Sequence, residues 1–348
     1  MKYRTLAATL ALAWLAAVLA ACSQQYVIYR DRFVVAGMPV TATLYGADRR
    51  LAQRAFDALQ GDLRYVDVTL NPRRPNALAR INLLLPTQDA FSAPPSVLPL
   101  ITQAIPLYRA SGGLFNPAIG KLTVLWGFDG EAPPAGPPPD PKTIAQLVAR
   151  RPSMDDLVLR GIDLRSTNPA VRLDFDRFAW GYGLDMAAAH LRRIGVRHAL
   201  IELGNSAYAI GHEDGHRWRT ALRDPRGSAV MAWATLNDGD SLSTASRYEH
   251  SFVYHGTRYC RLIDPRTGYP AQGMASVTVI DRLGTRAAAA ATALFVAGPQ
   301  HWQRVARAMG VKYVLLVARD GTVYMSPAMA QRVHFTAKPE PRIVLRNL

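Results

Sequence analysis

Two arginines, an aspartate and a glycine turn fall together in Arg261-Leu-Ile-Asp264-Pro-Arg266-Thr-Gly268-Tyr-Pro270. An arginine guanidinium can pair bidentately with a phosphate. A glycine lets the backbone approach a phosphate or a ring closely. Asp264-Pro265 is expected to stop the preceding strand, because proline has no N–H for a ladder bond. Thr267-Gly268 then reads as a tight turn. The same residues would also make a sound polar turn between two strands and nothing more. Which reading holds depends on what the rest of the chain brings to this turn.

The elements around it are mixed. The stretch 251–254 is apolar and strand-like, 258–263 reads as its partner, and the β-branched 277–280 as the next strand. Earlier, 32–44 suggests two strand pieces around a kink at Gly37. Apolar positions Leu51, Ala55, Leu59, Leu63 and Val66 give 49–67 the period of an amphipathic helix. Helices are also expected at 76–82, 97–111 (ended by Gly112-Gly113), 143–150, 178–194, 286–296 and 301–309. Strands are expected at 171–175, 198–203, 207–210, 218–222 and 230–236, with a hairpin of 314–319 and 322–324 around Asp320-Gly321. The proline-rich 133–141 reads as a surface loop or stiff spacer. Helices and strands intermix, strands cluster late and there is no internal repeat, which predicts an α+β fold with mixed, largely antiparallel sheets and packed helices.

The 348 residues can bury a sizeable core and carry a formal net charge of +15, from 41 Lys and Arg against 26 Asp and Glu. The arginines are scattered rather than massed in basic runs, so a site for phosphates or anionic lipid fits better than nucleic acid. The N-terminus opens Met1-Lys-Tyr-Arg4, then runs apolar from Leu6 to Ala21, too short for the ~20 residues of a spanning helix. Residues 1–21 read as a signal peptide. Leu19-Ala-Ala-Cys22 resembles a bacterial lipobox, which implies acylation of Cys22, a lipidated linker over 22–31 and attachment to a membrane surface without a span. The expected place is the cell envelope, facing the periplasm, with the outer membrane favoured. With Cys22 acylated, Cys260 has no partner within the chain, and it reads as a buried, inert thiol. The histidines around Glu213-Asp214-Gly215 read as a polar turn.

Five stretches in this order resemble the FAD:protein FMN transferases, the ApbE-type flavin-trafficking lipoproteins. They are Ala36-Gly-Met-Pro39, Gly112-Gly-Leu-Phe-Asn-Pro117, Asp174 with Gly181-Tyr182 and Asp185, Leu203-Gly-Asn205, and Ile263-Asp-Pro-Arg-Thr-Gly268 with Thr292. The resemblance implies a T-fold-related domain over 32–335 followed by a tail over 336–348. It also implies FAD as substrate or ligand, magnesium as metal, and a target flavoprotein subunit as acceptor of FMN on Thr or Ser. It places cofactor contacts at Met38, Gly112, Gly113, Leu114, Asp174, Trp180, Arg261 and Leu262, and catalytic roles at Arg261 and Asp264. The metal positions fall on Arg177 (through its backbone), Thr285, Ala288 and Thr292. Here the chain departs from the family. The usual carboxylate is Ala288, a second acidic position is Thr285, the Lys or Glu of the Lys-Gly-Tyr step is Trp180, and the His before Ile-Asp-Pro is Arg261. Magnesium is usually held by at least one carboxylate, so this cage is poor, and Arg261 or Arg286 is expected to meet the pyrophosphate instead. Three readings follow: an active transferase with a rewired phosphate site, a flavin- or partner-binding lipoprotein with impaired chemistry, or a structural periplasmic module.

Overall fold

The computed structural model describes residues 27–348 except 72, 73, 131 and 337. The expected signal segment and Cys22 lie outside the described residues. The frame is a nine-stranded sheet in which neighbours in space follow neighbours in the chain. Its strands are β1 (Ile28–Val35), β2 (Met38–Tyr45), β3 (Ala199–Leu203), β4 (Ser206–Ile210), β5 (Ser241–Ser246), β6 (Met274–Asp281), β7 (Tyr313–Ala318), β8 (Val323–Met325) and β9 (Ile343–Leu345). Every pair is antiparallel except β8 with β9. The α+β expectation with largely antiparallel sheets is therefore met. The kink expected at Gly37 is a hairpin turn, with Ala36 and Gly37 at φ 48° and 75°, the signature of a two-residue turn that matches strand twist.

Both faces of this sheet are covered, so its central strands are buried on both sides. In β7, Val314 and Leu316 face one core while Leu315 and Val317 face another, the two-residue alternation of a strand. A three-stranded sheet of Trp218–Arg223, Val230–Leu236 and Val333–Phe335 covers the second face. On the first lie the helices α1 (Arg49–Leu70), α2 (Ala77–Leu84), α3 (Leu98–Ala110), α6 (Asp176–Arg193) and α7 (Gly284–Ala308). The short α4 (Gly120–Leu125) and α5 (Pro141–Ala149) build a satellite core around Trp126, Phe128 and Ile263. A last helical turn, α8 (Pro327–Ala330), precedes Val333–Phe335.

Helices α6 and α7 cross at almost bare backbone. A Cβ on Gly181 would lie 2.4 Å from the Gly284 carbonyl oxygen, and one on Gly284 would lie 2.6 Å from that of Gly181. Asp185 of α6 locks the crossing by accepting the amides of Gly284 (2.6 Å) and Thr285 (3.1 Å). A carboxylate there also suits the positive end of α7. Burial raises the Asp185 pKa against those hydrogen bonds. The alanine run 287–291 is fully buried, and its small side chains let α7 lie close to the sheet.

Several expectations change. The expected tail over 336–348 contributes one strand to the sheet, since β9 pairs in parallel with β8 and the Val323 amide bonds the Arg342 carbonyl at 2.8 Å. Strand β1 takes in residues 28–31 of the expected linker. Residues 171–175 are no strand beyond one bridge, Ile119 to Arg172. There the Asn82 side chain stands in for a neighbouring strand, donating to the Leu173 carbonyl at 2.8 Å and accepting its amide at 2.7 Å. The expected strand 258–263 ends at Cys260, and beyond it only a short bridge remains, with the Ala271 amide on the Leu262 carbonyl at 2.8 Å and Ile263 opposite Pro270. The helices expected at 286–296 and 301–309 are the arms of α7 on either side of Gly298 (φ 71°) and Pro299. Strand β5 was not expected, because its hydroxyl-rich Ser-Leu-Ser-Thr-Ala-Ser lacks apolar alternation. The small sheet of Phe91–Ser92, Asp163–Ser166 and Leu157–Arg160 was not expected either.

Gly181→Ala should lower stability by about 3 kcal/mol or more, since the clash is with backbone that has no rotamer to yield. Urea unfolding checks this, and an unchanged midpoint would mean that the crossing is loose.

Candidate active site

The turn Asp264–Gly268 is tightly tied. The Asp264 carbonyl accepts the amides of Thr267 (3.2 Å) and Gly268 (2.8 Å), and Trp126 Nε1 donates to the Gly268 carbonyl at 2.8 Å. Gly268 sits at φ 75°, and a Cβ there would meet Ile144 at 2.5 Å and Val148 at 2.7 Å. Only glycine satisfies both the conformation and the packing. This anchor projects the preceding Arg261 and Leu262 into two adjoining cavities.

The larger cavity, about 520 Å³, is bounded by the β1–β2 turn at Ala36–Pro39, by Trp180 and Arg177 of α6, by Gly204–Ser206, by Tyr248–His250, and by Arg261 and Leu262. Its size lies within the roughly 300–1,000 Å³ of small-molecule sites. A second lobe of about 250 Å³ shares Gly204, Asn205, Arg223 and Tyr248 and is rich in hydroxyls, among them Thr41, Thr220, Thr244 and Thr278. The smaller cleft, about 70 Å³, lies on the other side of Arg261 and is lined by Leu114, Asp174, Asp176, Arg177 and Thr292 among others. Thus Asp174, Arg261 and Thr292 do share one cleft.

Charge at the junction is arranged in two pairs. Arg261 is held by Asp174 through Nη2 at 3.0 and 2.8 Å, by Asp176 at 3.4 Å and by the Phe128 carbonyl at 3.0 Å. The Arg261 and Asp174 side chains are only 11% and 10% exposed. Burial works against the guanidinium charge, but Asp174 and Asp176 outweigh it and raise its pKa. Arg177 donates to the Thr244 carbonyl at 2.8 Å and to Glu249, which also accepts from Asn205. Burial again opposes the charge on Arg177 and Glu249 with Asp176 sustains it. The Nε–H of Arg177 is buried with no partner among the described residues. Asp176 is held at φ 39°, a left-handed conformation that non-glycine residues adopt at a cost. Its amide bonds Asp174 Oδ1 at 3.2 Å, which fixes the sharp entry into α6.

The expected site residues divide accordingly. Met38, Trp180, Arg177, Arg261 and Leu262 line the large cavity, and Leu114, Asp174 and Thr292 the small cleft. Gly112 and Gly113 line neither; at φ 63° and 81° they form the turn that ends α3 and delivers Leu114. Asp264 also lines neither, because its carboxylate is bound by the Arg266 amide at 2.9 Å and by the Arg266 guanidinium. It shapes the turn. Arg286 is engaged by Asp281 at 2.8 Å, away from both cavities. Cys260 is buried, which pushes its thiol up to about 11, as suits an inert group. Sequence reading missed Asp176, Arg223, Tyr248 and Glu249. The polar run after β5, Arg247-Tyr-Glu-His250, was the available signal.

The chain belongs to the ApbE family, whose model matches residues 36–315. It is 35% identical over 303 residues to an FAD:protein FMN transferase of Rhodobacter capsulatus, a match that covers 87% of this chain but 58% of that longer relative. An FAD:protein FMN transferase of Vibrio cholerae is 29% identical, covering 79% of this chain and 81% of the relative. Among solved structures, an ApbE protein from Thermotoga maritima superposes with a TM-score of 0.80 at 26% identity, over 88% of this chain and 99% of that one. The apo flavinyl transferase ApbE of Pseudomonas stutzeri gives 0.77 at 27% identity, over 89% and 98%.

The positions that the resemblance assigns to magnesium do not fit that ion. Ala288 contributes a buried methyl group, Thr285 Oγ1 is spent on Asp185 at 3.3 Å, and Thr292 Oγ1 donates back to the Ala288 carbonyl at 3.0 Å. Among the described residues, the carboxylates lining the small cleft are Asp174 and Asp176, and both are engaged by Arg261. Among the described residues no three His, Cys, Asp or Glu side chains gather as a metal group. Hard divalent cations need charged oxygens, and here a guanidinium already occupies them.

Asp174→Ala should cost about 3–5 kcal/mol by stranding the buried Arg261 charge, and adding Arg261→Met should recover much of it. A double-mutant cycle in urea reads this directly, and additive losses would show that the pair is not coupled.

Proposed function

We propose that this chain is an FAD:protein FMN transferase that moves FMN from FAD to a Thr or Ser hydroxyl of a target protein. The observation that carries the reading is one continuous space lined by Met38, Trp180 and Leu262 together with Arg177 and Arg261. The first three offer flat or apolar contact for a ring system, and the arginines offer positive charge for a pyrophosphate. In the reaction, the acceptor oxygen bonds to the phosphorus of the FMN half. The bridging P–O bond breaks, and AMP departs with its electron pair. The hydroxyl proton passes to a wall carboxylate, Asp176 or Glu249. Such phosphoryl transfers are carried mainly by positioning and by neutralising charge, and the protein's own contribution to both is its paired arginines. No step is assigned to a metal. We further infer that acylated Cys22 holds the domain at the envelope membrane, facing the periplasm where its acceptor lies. Among the described residues no helix is long and apolar enough to cross a membrane.

A second reading, a flavin-binding member with impaired chemistry, is favoured by the loss of carboxylates at Ala288 and Thr285 and by the engagement of Arg261 with Asp174. AMP release separates the two. The transferase reading expects AMP from FAD in EDTA, together with a gain of one FMN on Thr or Ser of an envelope protein by mass spectrometry. FAD-induced thermal stabilisation without AMP or mass gain would leave only the binding role.

A further inference from the structure

A second strongly charged feature adjoins the large cavity. Arg223, Arg226, Arg247, Arg258 and Arg319 line a recess of about 600 Å³ whose lining residues include no carboxylate. They arrive from four separate parts of the fold: the covering sheet, the end of β5, the hairpin of Ser251–Tyr254 and Thr257–Cys260, and the end of β7. Arg226 is neutralised by Asp224 at 2.8 Å. Among the described residues no ion pair neutralises Arg223, Arg247, Arg258 or Arg319. Arg258 donates only to Ser251 Oγ at 2.9 Å, and Arg223 to the Gly227 carbonyl at 2.8 Å. Burial, and after it Arg319 and Arg258, lower the pKa of Arg247, so the crowding of like charges is felt within the recess. A polyanion seated there would relieve it.

The recess is not isolated. Arg223 and Tyr248 wall the recess, the large cavity and its second lobe alike. The Arg223 guanidinium lies over the Tyr248 ring at 4.6 Å from its centroid. A ligand in the recess therefore reaches the rim of the space in which the transfer reading places the flavin. Five arginines around one recess, with no carboxylate among its lining residues, complement a segment that carries several carboxylates close together.

We propose that the recess is the docking site for an acidic, extended segment of the acceptor polypeptide, holding its carboxylates so that a neighbouring hydroxyl enters the large cavity beside Arg223. The proposal rests on the transferase reading for what happens after docking, but not for docking itself. Arg258 and Arg319 do not line the large cavity, so they can be changed without touching the flavin space.

The test uses the full chain, a short fluorescent peptide with Asp residues around one Thr, and the same peptide with Asn in place of Asp. The acidic peptide should bind, more weakly as salt rises, and the Asn peptide should not. Arg258→Glu with Arg319→Glu should weaken acidic-peptide binding by about tenfold or more, while FAD-induced thermal stabilisation stays unchanged. Arg258→Gln with Arg319→Gln should give an intermediate loss, which guards against misfolding of the charge-reversed protein. Unaltered peptide affinity in both variants overturns the proposal. So does displacement of the peptide by FAD, which would assign the arginines to the dinucleotide. Binding to phosphatidylglycerol vesicles without binding to the peptide likewise overturns it in favour of a membrane face. If the wild type binds the peptide but not FAD, the transferase reading fails and the recess keeps its ligand class. If it binds FAD but not the peptide, the recess proposal fails alone.

Discussion

The contact between α6 and α7 fixes everything that matters for the site. Two glycines let the helix backbones touch, and the Asp185 carboxylate bonds the first amides of α7. With that crossing set, the entry to α6 has one position, and so do Asp174, Asp176 and Arg177. The sheet beneath is buried on both faces, so it has no freedom to slide. The turn anchored on Trp126 then delivers Arg261 onto Asp174. The cavity is thus walled by the start of α6 together with turns that the sheet and the Trp126 anchor hold in place.

Within that cavity the chain solves a charge problem in its own way. Where a metal would need oxygen anions, it has Ala288 and two threonines already engaged. Where anions remain, Asp174 and Asp176, it has Arg261. A guanidinium pair of this kind is stable only because both partners are present, since either one alone would be a buried charge without compensation. The arrangement fixes both guanidinium groups in place before any ligand arrives, with their charge matched by Asp174, Asp176 and Glu249.

The sequence was most readable where one local cause fixes the outcome. The 3.6-residue period of Leu51, Ala55, Leu59 and Leu63 gives α1, and the Thr267-Gly268 turn forms because nothing but glycine fits there. Met38, Trp180, Arg261 and Leu262 could be placed at one site because motif order located them without any need for local structure. It was least readable where a distant partner replaces a local one. Asn82 takes the hydrogen bonds that would have made 171–175 a strand, and β8 captures the expected tail as β9. Strand β5 escaped notice because its hydroxyls face a polar cavity on one side and pack as small groups on the other. Glu249 and Arg223 escaped for a related reason, since their importance comes from what the fold brings beside them and not from their neighbours in the chain.

The most direct measurement is a calorimetric titration of FAD into the full chain, once in EDTA and once in excess magnesium. Saturable binding of one FAD per chain, with the same affinity in both solutions, is the result that arginine-held charge in this cavity predicts. No saturable binding, or binding that appears only with magnesium, would contradict it.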